Sequence, residues 1–513
     1  MDHDLDDRPG DPVVVQTWLG APALSYARRP ATVVDALDRA VRLHGHRPGW
    51  VDGQVRLTWS QFADRVERAA ASLRARDLQP GQAVAVASGN TLDLAVLLLA
   101  CARAGLVMVG LNTRLAPPQW AYMVEHTSAR LLLASSTFQD ALAGSELLGS
   151  VLTEAPATPW VAGPSGLAED ATFAVVFTSG TTGRPKASQV VHRASVHSGM
   201  SYQRVLGLQN HDVTAVLFPM YYISALHAHV LPAMLSGASL VLVDTQSPRD
   251  YVALLRDERV SWAYAVPSWW RLALRAGLFD LPHLTRLAAG GAPFPVDLQE
   301  SLRRALPGVR LHDVYGLSET HSPGCILLDE QFADHSGTVG RTLPCMEAEV
   351  RDEAGNAVPT GHPGELWLRG SLVTTGYAGD PDATPAAIVD GWFDTGDVAR
   401  VCLHGFVTVL DRSKDMINRG GTKVFSAEVE QLLREHPSIE DAAVVGVPDA
   451  VGGEAIAAYL VVSGPVTTSE VRGWVRAGMA EHAAPKLVEI LDELPRNAVG
   501  KVDKPSLRAR HRP

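Results

Sequence analysis

Cysteine is scarce in this chain. Cys101, Cys325, Cys345 and Cys402 are the four in 513 residues, far apart and without C-x-x-C spacing. That pattern argues against a disulfide or zinc framework and fits a reducing compartment. Basic charge is short as well. Lys and Arg number 45 against 56 Asp and Glu, for a formal net charge of −11. No nucleic-acid partner and no anionic-membrane partner is expected, although a local basic pocket for a nucleotide is still allowed. The first residues, M-D-H-D-L-D-D, hold no apolar signal core, so a cytoplasmic location is expected. The most apolar run, 94–102, is bounded by Asp93 and Arg103. It is about half the length of a bilayer span and reads as a buried helix. Internal repeats and long low-complexity tracts are missing too.

What is present is an alternation of strands and helices. Residues 58–61, T-W-S-Q, match a capping box. Phe62, Val66, Ala69, Ala70 and Leu73 follow at helical spacing. Short apolar runs predict strands over 83–87, 106–111 and 130–134, with a helix over 92–103. Farther on, strands over 213–218, 239–243, 262–266 and 309–314 alternate with helices over 225–235, 248–256 and 298–305. This predicts an α/β fold with two helix-covered β/α subdomains. Beyond Gly337, Gly and Pro become frequent and alternating runs predict a small β-barrel up to about Leu410. The charged break D-R-S-K-D at 411–415 precedes a compact α+β pattern, in which Ser426 is expected to cap a helix over 427–436. The expected domains are 1–411 and a smaller α+β domain, 412–513.

The densest chemistry lies at 177–186, F-T-S-G-T-T-G-R-P-K. Small residues let backbone N–H groups crowd one anion, hydroxyls add donors, and Lys186 adds a point charge. It is not the Walker pattern G-x-x-x-x-G-K-[ST]. A plain Gly/Ser/Thr surface turn is the alternative reading. Four further stretches stand out. A-G-G-A-P at 289–293 lets a flat ligand approach the backbone, or is simply a turn. D-V-Y-G-L-S-E-T at 313–320 offers a stacking Tyr, a hydroxyl and a carboxylate suited to Mg²⁺, or a turn with a solvated Glu. G-W-F-D-T-G-D at 391–397, with Arg412 downstream, could hold a ribose diol, or is a hairpin turn. P-R-N-A-V-G-K at 495–501 ends in a lysine that by itself reads as solvated.

In this order, with G-E-L-W-L-R-G at 364–370, D-R-S-K-D-M-I-N-R-G-G at 411–421 and G-K-V-D-K at 500–504, these motifs resemble the adenylate-forming enzymes. That superfamily includes acyl- and aryl-CoA ligases, luciferases and the adenylation domains of peptide synthetases. The resemblance spans roughly residues 50–505. It implies that Thr178, Ser179, Gly180, Thr181, Thr182, Gly183 and Lys186 grip the β- and γ-phosphates of ATP. It implies further that Gly291, Ala292 and Pro293 line the adenine, Tyr315 beside Gly316 stacks on it, and Asp313 reaches its amino group. Ser318 replaces the usual Thr near the α-phosphate, and Glu319 matches the Mg²⁺ ligand. Asp397 and Arg412 match a ribose clamp, Lys501 the catalytic lysine, and Lys414 the hinge of a mobile C-terminal domain. Ala187 departs from the usual Gly.

By the same resemblance the acyl pocket is built from Tyr221, Tyr222, Ser224, Ala225, Ala289, Gly290 and Leu317. P-M-Y-Y-I-S-A-L at 219–226 looks like P-M-F-H-I-Y-A-L of hydroxycinnamate ligases, with Tyr222 in place of His. An aryl or short-to-medium-chain acid is expected, with CoA as acceptor. The alternatives are a carrier-protein thiol, an amine, or nitrite acting on an aryl amine, and, in another class, a non-catalytic nucleotide-binding protein on the same fold.

Overall fold

The computed structural model describes residues 12–153, 160, 165–178, 185–243, 247–277, 280–419, 422–449, 453–479, 481–496 and 501–511. Ser179, Gly180, Thr181, Thr182 and Gly183, together with 420–421 and 497–500, lie outside them. By contact the chain gathers into two compact units. The first is Met1–Ala348 with Trp367–Asp394, and the second is Glu349–Leu366 with Thr395–Pro513.

The first unit holds two helix-covered sheets. One has six strands, in the order Lys186–Val191, Thr172–Thr178, Val107–Gly110, Ala83–Ala87, Leu131–Ala134 and Glu146–Leu147. The other has nine, with Arg310–Tyr315, Arg286–Gly290, Trp262–Ala265, Val213–Val216 and Ser239–Leu242 adjacent and parallel at its centre. These central strands bury mostly apolar side chains beneath covering helices, with His312 and Asp313 among the buried polar exceptions. The T-W-S-Q box forms as read: Thr58 Oγ1 accepts the Gln61 N–H, and Gln61 returns a carboxamide oxygen to the Thr58 N–H. Helix Leu92–Arg103, the most apolar run, is almost wholly buried. Among the described residues no helix is long and apolar enough to cross a membrane.

One predicted helix breaks. The span 225–235 divides into Ile223–Ala225, a π-turn at Leu226–Val230 and Leu231–Ser236. Pro232 has no N–H to return to the carbonyl four residues earlier. That carbonyl, on Ala228, instead accepts the indole N–H of Trp262 at 3.2 Å.

The Gly- and Pro-rich stretch forms a five-stranded sheet between Met346–Arg351 and Val407–Arg412. In the second unit, Ile439–Asp449 pairs antiparallel with Gly453–Val462, which also pairs with Leu487–Ile490. Helices Ser426–Arg434 and Thr468–Gly478 bury Val429, Leu433, Val471 and Val475 in one core. Ser426 is not the cap of its helix. Phe425 occupies that position without a side-chain bond, and the buried Asp411 carboxylate accepts the Ser426 N–H. The acceptor comes from fifteen residues upstream, where a cap search along the sequence does not reach.

Candidate active site

Strands Thr172–Thr178 and Lys186–Val191 are antiparallel partners, with Lys186 opposite Thr178. The two ends of the Gly/Ser/Thr loop are thereby pinned as a hairpin. Lys186 Nζ lies 4.9 Å from the ring centroid of Tyr377, a cation–π contact. The Tyr377 hydroxyl donates to Glu319 Oε1 at 2.9 Å. Glu319 is buried in the 3₁₀ turn Ser318–Thr320. The fold thus joins a cation, a phenol and a carboxylate from three distant segments. The sequence reading missed Tyr377, whose one local signal is the run T-T-G-Y at 374–377, which reads as a turn.

Hydrogen bonds fasten these segments together. Gln189 N–H donates to the Gly376 carbonyl at 3.0 Å, Ala378 N–H to Ala187 at 2.8 Å, and Thr374 N–H to Glu319 at 2.8 Å. His321 follows in the same turn. Its Nε2 accepts the Val191 N–H at 3.1 Å, and its Nδ1 donates to the Leu372 carbonyl at 2.9 Å. Only the neutral tautomer with a proton on Nδ1 satisfies both bonds. Burial pushes its pKa down to about 4, so the ring stays neutral.

The two glycines of A-G-G-A-P differ. A Cβ on Gly290 would lie 2.4 Å from the Val314 carbonyl oxygen and 2.5 Å from the Tyr264 hydroxyl, so protein fills that space. Gly291 has φ +75°, where L side chains are strained, and with Ala292 and Pro293 it is exposed. On the next strand Asp313 is buried. Burial pushes its carboxyl up to about 8, against the Val314 amide that pulls it down. Tyr315 and Ser318 are half-buried. Gly316 has a packing reason of its own, because a Cβ there would fall 1.4 Å from the Ser322 carbonyl oxygen.

Of the expected acyl-pocket residues, Tyr222, Ser224 and Leu317 are half-buried, while Tyr221, Ala225, Ala289 and Gly290 are buried. The rings of Tyr221 and Tyr222 meet edge to face at 4.7 Å. Asn112 Nδ2 donates to the Tyr222 hydroxyl at 3.0 Å, and Thr113 Oγ1 to that of Tyr221 at 3.5 Å. Asn112 and Thr113 carry no motif and were not read from the sequence.

In the second unit Asp397 and Arg412 stand opposite each other on paired strands. Arg412 Nε lies 2.7 Å from the buried Asp397 Oδ1. Lys501 stands at the base of a second hairpin, where Arg496 bridges Val502 and the Asp503 N–H reaches the Pro495 carbonyl at 2.8 Å. Lys501 is exposed as a residue. Its pKa is lowered, first by desolvation and then by repulsion from Arg412 and Lys414, while Asp397 pulls the other way. Asp397, Arg412, Lys414 and Lys501 therefore share one electrostatic neighbourhood. Lys414 lies in an exposed turn, its carbonyl 3.5 Å from Arg508 Nη2.

Among the described residues no three His, Cys, Asp or Glu side chains gather into a metal cage. The single buried carboxylate of Glu319 suits Mg²⁺, which takes one or two protein carboxylates and completes its shell with water and phosphate oxygens.

The profile of the family described as AMP-binding enzyme matches residues 37–378, and that of the AMP-binding enzyme C-terminal domain matches residues 428–501. A feruloyl-CoA synthase from an Amycolatopsis species is 33% identical over 487 residues, covering 92% of this chain and 97% of that protein. A 2-succinylbenzoate–CoA ligase from Bacillus licheniformis is 31% identical over 471 residues, covering 91% and 97%. Among solved structures, o-succinylbenzoate CoA synthetase from Bacillus subtilis, in complex with its acyl-adenylate intermediate, superposes with a TM-score of 0.85 at 27% identity, covering 92% of this chain and 98% of that one. The same enzyme with ATP and magnesium ion gives 0.84 at 27% identity, covering 93% and 99%.

Proposed function

We infer the chemistry from one premise: this chain belongs to the AMP-binding enzyme family. It is an AMP-forming acid–CoA ligase that works through an acyl-adenylate and uses ATP, Mg²⁺ and CoA. A carboxylate oxygen attacks the α-phosphorus of ATP and the bond to pyrophosphate breaks. The thiolate of CoA then attacks the acyl carbonyl and AMP leaves.

The residue roles are our assignment. Lys186, with Thr178 and the loop it closes, neutralises the leaving pyrophosphate. Asp313, Tyr315 and residues 291–293 hold the adenine, and Ser318 donates near the α-phosphate. Glu319 holds Mg²⁺, which supplies charge neutralisation on the phosphates. Asp397 and Arg412 clamp the ribose, and Lys501 bridges the attacking carboxylate and the charge growing at phosphorus. Lys414 is the pivot of the C-terminal domain. The observation that carries this reading is the convergence of Lys186 and Glu319 on Tyr377, at 4.9 Å from the ring centroid and 2.9 Å from the hydroxyl.

For the acid we favour an aryl, cinnamic or short-to-medium-chain carboxylate. The edge-to-face Tyr221–Tyr222 pair, hydrogen-bonded to Asn112 and Thr113, supports this reading by setting aromatic rings beside polar groups. The names of two relatives carry feruloyl and 2-succinylbenzoate. The sparse, scattered cysteines support a reducing, cytoplasmic setting.

The test is pyrophosphate release over a panel of aryl, cinnamic, short-chain and medium-chain acids, with and without CoA. CoA should speed turnover and yield the thioester. If it does neither, while a carrier-protein thiol, an amine or nitrite does, the CoA assignment fails. Lys501→Ala should slow adenylation about 10²–10³-fold, or about 2.7–4 kcal/mol, with ATP binding retained. An unchanged rate removes Lys501 from the chemistry.

A further inference from the structure

We propose that Tyr377 is a positioning residue of the ligase reaction, a neutral bridge that sets the magnesium-binding carboxylate against the phosphate-binding lysine. The inference rests on the roles assigned above to Glu319 and Lys186. One side chain meets both groups: its hydroxyl donates to Glu319 Oε1 at 2.9 Å, and its ring takes Lys186 Nζ at 4.9 Å from the centroid.

The chemistry of the bridge suits that task. A phenol donating one hydrogen bond orients a carboxylate without neutralising it, as a lysine or arginine would. A ring face attracts an ammonium through its quadrupole and takes up none of its N–H donors. Glu319 thus keeps its charge for a cation, and Lys186 keeps its donors for phosphate oxygens. Tyr377 itself has little freedom. Its main chain bridges Ser188, two strand-type hydrogen bonds flank it at Gly376 and Ala378, and its own N–H donates to Thr384 Oγ1 at 3.0 Å. Gly376 makes the bend possible: its φ is +131°, and a Cβ there would meet the Thr384 side chain at 2.4 Å. The Thr374 N–H, bonded to the Glu319 carbonyl, ties the same segment to the carboxylate's own turn. A residue fixed on this scaffold transmits the position of the loop strand to the metal ligand.

Tyr377→Phe separates the two contacts, because it keeps the ring and removes the hydroxyl. ATP binding is measured by calorimetry in EDTA and then across a Mg²⁺ titration, alongside the unfolding midpoint. In the Phe variant the Mg²⁺ midpoint should rise about 10-fold, as for loss of a residue that orients a metal ligand. Mg²⁺-free ATP binding and the unfolding midpoint should stay at wild-type values. Tyr377→Leu, which also removes the ring face, should weaken Mg²⁺-free ATP binding as well. An unchanged Mg²⁺ midpoint in the Phe variant overturns the proposal. So does an equal loss with and without Mg²⁺ accompanied by a lowered unfolding midpoint, which marks Tyr377 as packing alone. These readouts need no acid substrate. Failure of the wild type to release pyrophosphate would therefore count against the ligase reading and not against the bridge.

Discussion

Replacing Asp313 by Asn should make the protein's stability less sensitive to pH, in a direction set by burial. The folded Asp313 carboxyl is pushed up to about 8, whereas an unfolded carboxyl titrates near about 3.9. Between those values the folded chain keeps the proton and the unfolded chain releases it. Stability contributed by the bound proton is therefore full below the unfolded value, and it is lost as pH rises toward the folded one. The loss is about 1.4 kcal/mol per pH unit, so from about pH 5.5 to about pH 7 it reaches about 2 kcal/mol. Asn has no proton to release and escapes this loss. The assay is urea unfolding at both pH values, followed by tryptophan fluorescence, to which Trp50, Trp59, Trp262 and Trp270 contribute from buried positions in the unit that holds Asp313. The variant should gain about 2 kcal/mol on the wild type across the interval. Parallel pH dependences would refute the reasoning. The same variant tests the adenine contact. Asn keeps a carbonyl acceptor for the adenine amino group, so ATP affinity should stay within a few-fold. A collapse of affinity with the pH difference intact would overturn that contact and leave the linkage standing.

Two further substitutions probe the supports of the site. Gly316→Ala places a Cβ 1.4 Å from the Ser322 carbonyl oxygen, a backbone clash that no rotamer relieves. It should cost about 3 kcal/mol or more in urea unfolding, and a midpoint equal to wild type would show that the loop yields freely. Asp411→Ala leaves the Arg412 and Ser426 N–H groups without their carboxylate acceptor, at about 1–3 kcal/mol for each buried donor left unsatisfied. Hydrogen exchange at those two amides should quicken while the amides of Ile439–Asp449 stay protected; wild-type exchange at Arg412 and Ser426 would refute the capping role.

What could be read in the sequence is whatever the chain keeps local. The loop after Phe177, the run into Glu319 and the string ending at Lys501 are contiguous spacings, so their order alone pointed to adenylate chemistry. Their helix-covered parallel sheets followed from short apolar runs at regular intervals, with strand ends displaced by a residue or two. The π-turn at Leu226–Val230 was hidden because Leu226, Val230 and Ala233 keep helical spacing through it, while the change lies in the backbone, where the Leu231 N–H reaches the Leu226 carbonyl and Pro232 has no N–H to give. The other misses are long-range. Tyr377 reaches Glu319 across 58 residues, and Asn112 reaches Tyr222 across 110. Asp411 caps a helix whose own first serine looked like the cap. The division has a physical cause. Gripping a nucleotide takes backbone N–H groups and fixed charges on short loops, and short loops leave motifs. In the acyl pocket proposed above, choosing an acid depends on where hydroxyl and amide groups of separate segments converge, as Asn112 and Thr113 do on the two tyrosines. Selectivity in this chain is therefore to be sought in contacts made across the fold, and the acid panel is best paired with substitutions at Asn112 and Tyr222 rather than within the motifs.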